Sequence, residues 1–203
     1  MPVPLLPVAA MAAVVVASNV LVQFVVAGGL LTWGAFTYPL SFLVVDLTNR
    51  VHGPRVARRV VLWGFGVGVL CSLAGSQVEL AAGPAVPLRV AVASGAAFLV
   101  AQLLDVAIFE RLRRAAWWRA PLASSLLSST LDTALFFGLA FSAAAAPLFP
   151  PEASAAVAWA GGPGPMGAPL WVSLALADWG VKLALALVAL LPYRFLLRGR
   201  TPA

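Results

Sequence analysis

The chain is a series of long apolar stretches separated by short polar breaks. Six stretches are long enough to cross a hydrocarbon core as helices of about 20 residues. The breaks contain residues that end helices, such as the pairs Gly28 and Gly29, and Gly53 and Pro54. The pattern predicts an all-α membrane protein, a six-transmembrane-helix bundle that forms one integral membrane domain over residues 1–203. The predicted spans are about 5–27, 32–50, 57–78, 87–109, 122–146 and 169–191.

Composition supports the same class of protein. Of the 203 residues, 62% are hydrophobic and only 10% are charged, whereas soluble domains carry about 25% charged residues. A chain this apolar cannot cover itself with polar surface in water, so its solvent is expected to be lipid. Residues 1–27 contain no Lys or Arg, so the positive start of a signal peptide is missing and we expect this run to be the first span.

Basic residues predict the orientation of the bundle. The net charge is +6, and Arg side chains concentrate in alternate loops, which is typical of loops that stay in the cytoplasm. This predicts a multi-pass protein with both termini in the cytoplasm. The charge is therefore interpreted as a signal for topology and for anionic lipid headgroups, and not for nucleic acid. The Arg residues concerned are Arg50, Arg55, Arg58, Arg59, Arg111, Arg113, Arg114, Arg119, Arg194, Arg198 and Arg200.

Three ionisable residues lie near the middle of predicted spans, where charges are rare. They are Asp132 in the fifth span, and Asp178 and Lys182 in the sixth. A charge at that depth costs about 2.5–3.5 kcal/mol on the insertion scale, so the three are expected to share a protein interior or a wet cavity. Asp178 and Lys182 are four residues apart and favour a simple salt bridge as the alternative. Asp132 leaves a surplus negative charge, which a proton or a ligand's donors would neutralise.

Polar and aromatic residues near the outer ends of the first two spans extend this pattern. Asn19 and Gln23 share one helix face, and Trp33 and Phe36 follow at the start of the second span. One interpretation is ordinary hydrogen bonding between membrane helices. The other is a pocket for a flat, polar heterocycle, with aromatic rings that stack on it and amides and carboxylates that bind its edge.

A second polar set lies closer to the predicted cytoplasmic side. We interpret it as a charge network that fixes helix ends or forms a gate, with interfacial side chains that extend into the headgroup region as the alternative. Its members are Asp46, Asn49, Arg50, Arg58, Arg59, Gln102 and Asp105.

Enzymatic motifs are missing from the sequence. It contains no HExxH, GxSxG or P-loop, and its single histidine, His52, falls in a predicted loop. General acid–base chemistry is therefore disfavoured. We expect no catalytic residue, no cofactor and no metal site.

Several short stretches resemble a known family in order and spacing. The chain is similar to the bacterial queuosine precursor transporters, also called the vitamin uptake transporter family, over about residues 15–197. The stretches that carry the resemblance are Ser18-Asn19-x-Leu21-Val22-Gln23, Thr32-Trp33-Gly34-Ala35-Phe36, Asp46-Leu47-Thr48, Ala57-Arg58-Arg59, Gln102-x-Leu104-Asp105, Asp132-Thr133, and Asp178 with Lys182.

The resemblance implies import of a queuosine precursor base across the bacterial cell inner membrane. The expected base is 7-cyano-7-deazaguanine (preQ0), with the aminomethyl analogue (preQ1) as a second substrate. The resemblance also implies helices arranged as in the substrate-binding subunits of energy-coupling-factor transporters. An alternative is therefore a binding subunit that needs a separate ATPase module, and a homo-oligomer stays open.

Roles for individual residues follow from combining this substrate with the polar pattern. Asp132 or Asp178 would accept hydrogen bonds from the base's N1–H and amine, and Lys182 would hold the other carboxylate. Asn19 and Gln23 would bind its carbonyl or pyrrole edge, and Trp33, Phe36 or Trp179 would stack on its face. These assignments are hypotheses.

Overall fold

The computed structural model describes residues 3–80, 83–165 and 167–197, and within these ranges the chain is mostly helical. Arg198 and Arg200, which belong to the predicted cytoplasmic charge, lie outside the described residues. The helices in chain order are α1 (Leu5–Leu21), α2 (Trp33–Thr37), α3 (Leu40–His52), α4 (Pro54–Gly75), α5 (Leu88–Leu112), α6 (Arg119–Phe141), α7 (Pro151–Ala155), α8 (Leu170–Val188) and α9 (Leu190–Leu197).

Shorter elements connect these helices. Two antiparallel hairpins lie between helices, β1 (Val25–Val26) with β2 (Leu31–Thr32), and β3 (Glu79–Leu80) with β4 (Gly83–Pro84). The tip of the first hairpin contains Gly28 and Gly29, whose φ angles of 66° and 96° favour glycine. Single 3₁₀ turns occupy Ala27–Gly29, Ala143–Leu148 and Ala158–Gly161.

Four helical segments are long and apolar enough to cross a bilayer. They are Pro54–Gly75, Leu88–Leu112, Arg119–Phe141 and Leu170–Leu197, the last formed by α8 and α9 in sequence. Each corresponds to one of the spans predicted from the sequence. The chain is therefore a multi-pass membrane protein.

The first two predicted spans differ from the helices observed. The predicted span 5–27 is helical only as far as Leu21, after which the chain turns into the first hairpin. The predicted span 32–50 is divided into α2 and α3, with Tyr38 and Pro39 between them. Proline has no backbone N–H and its ring crowds the preceding turn, which explains the interruption.

The fifth predicted span, 122–146, also ends early. The helix α6 stops at Phe141, and Ser142 has an extended backbone with ψ of 142°. The side chain of Ser142 then accepts a hydrogen bond from the backbone N–H of Ala145 and caps the following 3₁₀ turn. The Pro- and Gly-rich connection that follows contains only the short helix α7 and a further 3₁₀ turn within its described part.

Contacts between neighbouring helices hold the bundle together. The helix α1 packs against α4, and α6 packs against both α5 and α8. Gly64 on α4 allows the close approach of α1, since a Cβ built there would lie 2.6 Å from the Cγ of Met11. The main apolar cluster consists of Met11, Val15, Val45, Ala57, Val60, Val61, Phe98 and Val106.

Arginine side chains form hydrogen bonds between neighbouring helices at both ends of the bundle. At one end Arg50 donates to the carbonyl of Arg113 at 2.9 Å, Arg113 donates to the carbonyl of Arg50 at 2.8 Å, and Arg50 also donates to the Tyr193 hydroxyl at 3.0 Å. At the other end Arg89 is 2% exposed and donates to the carbonyls of Leu139 and Ser142. The ends of α3, α5 and α9 therefore meet on the Arg-rich side.

Candidate functional site

Lys182 is the centre of a buried ion-pair cluster between α6 and α8. Its side chain is only 4% exposed, and its Nζ lies 2.7 Å from Asp132 Oδ2 and 2.5 Å from Asp178 Oδ2. The packing of α6 against α8 brings Asp132 to the lysine, whereas Asp178 precedes it by one turn on the same helix. The structure thus brings together the three charges that the sequence placed at mid-span.

Two hydroxyl groups complete this cluster. The Thr133 hydroxyl donates to Asp178 Oδ2 at 2.9 Å and accepts from Lys182 Nζ at 3.0 Å. The Tyr38 hydroxyl donates to Asp132 Oδ1 at 2.8 Å. The Tyr38 ring also faces the ammonium group, with 5.4 Å between Nζ and the ring centroid. Two carboxylates and one ammonium carry a net negative charge when all are ionised, and these hydroxyl donors partly compensate it.

Tyr38 lies at the junction of α2 and α3. It precedes Pro39, and together the two residues separate the helices. The Tyr38 hydroxyl bonds to Asp132 of α6. The contact links the start of α3 to the middle of α6 across 94 residues of sequence.

The amides of the first span do not hydrogen-bond to this cluster. Asn19 donates to the carbonyl of Val15 on its own helix at 2.9 Å, and the exposed Gln23 donates to the carbonyl of Ala85 at 3.3 Å. The first helix instead approaches α2 through Ser18, whose hydroxyl donates to that of Thr37 at 3.2 Å.

The two predicted stacking residues lie together on α2. The ring centroids of Trp33 and Phe36 are 5.9 Å apart, and the residues are 53% and 37% exposed. Their helix contacts α1 and α8 and leads directly to Tyr38. Trp33 and Phe36 therefore form an accessible aromatic surface. In the sequence they lie less than two helical turns before Tyr38, which belongs to the ion-pair cluster.

A second buried polar cluster lies between α3, α5 and α6. Asp46 accepts hydrogen bonds from Ser124 at 3.1 Å and from Ser125 at 3.2 Å. The carboxyl of Asp105 lies beside that of Asp46. Gln102 donates to the Ser41 hydroxyl at 2.6 Å. We call Asp46 and Asp105 the carboxyl pair.

The remaining residues of the predicted charge network have other hydrogen-bond partners or are exposed. Asn49 donates to the carbonyl of Val106 at 3.2 Å. Arg50 points to Tyr193 and Arg113 and forms no salt bridge with Asp46 in the part of the chain that the structure describes. Arg58 and Arg59 are exposed on α4.

Sequence analysis did not assign Tyr38, Thr133, Ser124 or Ser125 to either cluster. The two serines were recognisable as polar positions about two helical turns before Asp132 on the same face of α6, and Thr133 directly follows Asp132. Tyr38 carried a weaker signal, a hydroxyl next to a proline inside an apolar run.

Known proteins are similar to this chain over most of its length. The model of the family described as "Putative vitamin uptake transporter" matches residues 32–196. The chain is 34% identical to the queuosine precursor transporter of Escherichia coli (strain K12) over 192 residues, which is 88% of this chain and 79% of that protein.

Two further relatives carry related names. The chain is 33% identical over 172 residues to the probable queuosine precursor transporter of Haemophilus influenzae, covering 79% of this chain and 66% of that protein. The corresponding protein of Bacillus subtilis (strain 168) is 27% identical over 189 residues, covering 84% and 73%. No solved structure gives a significant match.

Proposed function

Because the chain belongs to the putative vitamin uptake transporter family, a family of transporters and not of enzymes, we propose that it imports a queuosine precursor base across the bacterial inner membrane. The expected substrate is 7-cyano-7-deazaguanine (preQ0), and the aminomethyl analogue (preQ1) is a second candidate. The names of the relatives support the substrate class, and the chemistry of the buried clusters supports a polar solute.

The observation that carries the proposal is the ion-pair cluster around Lys182. A deazaguanine presents N1–H and an exocyclic amine on one edge, and a carboxylate accepts both in a bidentate manner. Asp132 is the better candidate for this role, since its Oδ1 is held by a neutral phenol and not by an ammonium group. Asp178 keeps its salt bridge with Lys182 when the base binds.

Binding then proceeds as an exchange of hydrogen-bond donors. The base displaces the Tyr38 hydroxyl from Asp132, so the carboxylate is never left without a donor in the low-dielectric interior. The released Tyr38 moves with the α2–α3 junction, and Trp33 and Phe36 stack on the face of the base. Asn19 and Gln23 turn from the backbone carbonyls they now contact to the other edge of the base.

In this proposal the bundle has six spans, the four long helices together with α1 and the α2–α3 pair. A helix of 17 residues such as α1 extends about 26 Å at 1.5 Å per residue, close to the thickness of a hydrocarbon core. The Arg-rich end, which includes Arg50 and Arg113, faces the cytoplasm, as do both termini.

Direct binding tests the proposed substrate. Purified protein in detergent is titrated with preQ0, preQ1 and guanine, with intrinsic Trp fluorescence or calorimetry as the readout. We expect saturable binding of a deazaguanine and weaker binding of guanine, which lacks the pyrrole ring. Equal binding of all three, or of none, would contradict the assignment of the substrate.

A further inference from the structure

The carboxyl pair has one member that is fully satisfied and one that is not. Both oxygens of Asp46 accept a hydrogen bond from a serine, which suits an ionised carboxylate. Asp105 is 0% exposed, and neither of its oxygens has a hydrogen bond of good geometry among the described residues. A buried carboxylate without donors, beside a second carboxylate, is strongly disfavoured in its ionised form.

The charged groups around this pair do not neutralise it. Tyr193 of α9 lines the same cavity as Asp46, and its hydroxyl accepts a hydrogen bond from Arg50. The α6 side contributes the hydroxyls of Ser124 and Ser125, and α4 packs on α3 with the apolar side chains of Val60 and Val61. No salt bridge reaches either carboxyl in the described ranges of the chain.

A small cavity adjoins Asp46, one member of the pair. It has a volume of about 20 Å³ and is lined by Asp46 and Ser125 together with mostly apolar residues of α3, α8 and α9. A volume of this size holds one water molecule. A bound metal cation would need a shell of oxygen ligands that this apolar lining does not offer, whereas water delivers a proton.

A row of buried hydroxyls lies between the carboxyl pair and the ion-pair cluster on α6. The buried polar residues on one face of α6 recur at helical spacing from Ser124 to Thr133 and include Asp132. Ser128, between the two clusters, has a fully buried hydroxyl with no hydrogen-bond partner in the described structure. Serine hydroxyls both donate and accept, so Ser128 keeps an unused donor and acceptor between the two clusters.

The helix α3 also connects the two clusters, through hydrogen bonds to α6. Tyr38 at its start is bonded to Asp132 of α6, and Asp46 two turns later is bonded to Ser124 and Ser125 of the same helix. A hydrogen bond to a carboxylate therefore joins α3 to α6 at each end of their contact. A change in the charge of Asp46 or Asp132 therefore alters the contact between α3 and α6, on which the hydrogen bonds of the other carboxylate depend.

We propose that the carboxyl pair Asp46–Asp105 binds the proton that drives transport, so that one proton enters the cell with each molecule of solute. In this structure Asp105 carries the proton and Asp46 is ionised, so the pair has a single negative charge. Release of the proton to water on the cytoplasmic side leaves both carboxylates ionised, and their repulsion then acts between α3 and α5. This inference rests on the proposed function, since it assigns a driving force to the import of preQ0.

The test uses the full-length protein in liposomes that contain a trapped pH indicator and have a clamped membrane potential. Two signals are recorded with labelled preQ0: exchange against unlabelled preQ0 at equal pH, and accumulation when the outside is more acidic. The variant is Asp105→Asn, which keeps the shape of the protonated residue. The matched control is Glu110→Gln, which removes an exposed carboxylate from the same helix.

The wild type and Glu110→Gln are expected to exchange preQ0, accumulate it up to about tenfold for one pH unit, and acidify the lumen when preQ0 is added. Asp105→Asn is expected to exchange preQ0 at a similar rate while losing accumulation and acidification. Wild-type exchange without acidification, or accumulation driven only by sodium or ATP, would overturn proton coupling and leave the proposed function intact. Failure of wild-type exchange would overturn the proposed function and the coupling with it. If Asp105→Asn does not fold, Asp46→Asn is tested in its place, and accumulation by the folded variant at the wild-type level would overturn the assignment of the proton to this pair.

Discussion

The Tyr38 hydroxyl donates a hydrogen bond of 2.8 Å to Asp132 Oδ1, and this contact joins the break in the second predicted span to the buried charges of α6. The same aspartate accepts from Lys182 at 2.7 Å through its other oxygen. Both oxygens of Asp132 are therefore occupied, one of them by a neutral donor that a solute with N–H groups is able to replace.

Removing the Tyr38 hydroxyl leaves a buried carboxylate oxygen without a donor. We expect Tyr38→Phe to lower the stability of the substrate-free protein by about 1–3 kcal/mol. Added preQ0 supplies the missing donor, so it is expected to raise the melting temperature of the variant more than that of the wild type. The measurement is a thermal melt in detergent with and without preQ0.

Tyr193→Phe is the matched control for that melt. Tyr193 is also buried and its hydroxyl also has a charged partner, Arg50, but it lies at the Arg-rich end. This variant is expected to lose stability without a larger response to preQ0. An equal response of both tyrosine variants would contradict the exchange of donors at Asp132.

Lys182 and Asp132 are expected to be strongly non-additive. Lys182→Met leaves two buried carboxylates without their cation, which is expected to cost about 3–5 kcal/mol. Adding Asp132→Asn removes one of the uncompensated charges, so the double variant is expected to be more stable than Lys182→Met alone. A double-mutant cycle of denaturant-induced unfolding measures the coupling. Additive losses would show that the short distance between the two groups has no energetic consequence.

The buried Arg89 is expected to be structural. Its guanidinium donates to carbonyls of Leu139 and Ser142 at the end of α6, and it lies 5.3 Å from the centroid of the Phe149 ring. Arg89→Met leaves these carbonyls without donors and is expected to lower the melting temperature and the yield of folded protein. Its dissociation constant for preQ0 is expected to stay within about twofold of wild type, a change below about 0.4 kcal/mol. A specific loss of binding with an unchanged melt would contradict this role.

Close packing of α1 on α4 is tested at Gly64. A methyl group there overlaps Met11, so Gly64→Ala is expected to cost about 1–3 kcal/mol from overpacking. Met11→Ala removes the overlapping side chain. In that background Gly64→Ala should therefore cost less free energy of unfolding than it does in the wild type. Gly66→Ala is the matched control, since nothing lies within 4 Å of a Cβ at that position. Equal effects of the two glycine substitutions would contradict the close approach.

The apolar pattern was enough to predict the four long spans, because their length and hydropathy are properties of the local sequence. It did not predict where α1 ends or that Pro39 divides the next span. Those boundaries depend on how the hairpin and α2 pack against α1 and α8, which are contacts between distant parts of the chain. A proline inside an apolar run is compatible with a kinked but continuous span, so the sequence alone does not decide.

The candidate site was also predicted only in part from the sequence. The depth of Asp132, Asp178 and Lys182 predicted a shared interior, and the structure places the three within salt-bridge distance. The partners Tyr38 and Thr133 were not assigned, since hydroxyls cost little in a membrane helix when they bond to their own backbone. Asn19 shows why polar type alone is a weak guide, because its amide is satisfied by the carbonyl of Val15 one turn earlier.

Transport of labelled preQ0 tests the central claim most directly. Cells that lack their own route to preQ0 are supplied with the labelled base, and uptake is compared among the wild type, Asp132→Asn, Asp178→Asn and the control Glu152→Gln. Glu152 is an exposed carboxylate on α7, away from both clusters. The account predicts uptake by the wild type and the control, and a loss of at least about tenfold for Asp132→Asn, equivalent to about 1.4 kcal/mol. Wild-type uptake by Asp132→Asn and Asp178→Asn, at equal amounts of protein in the membrane, would contradict it.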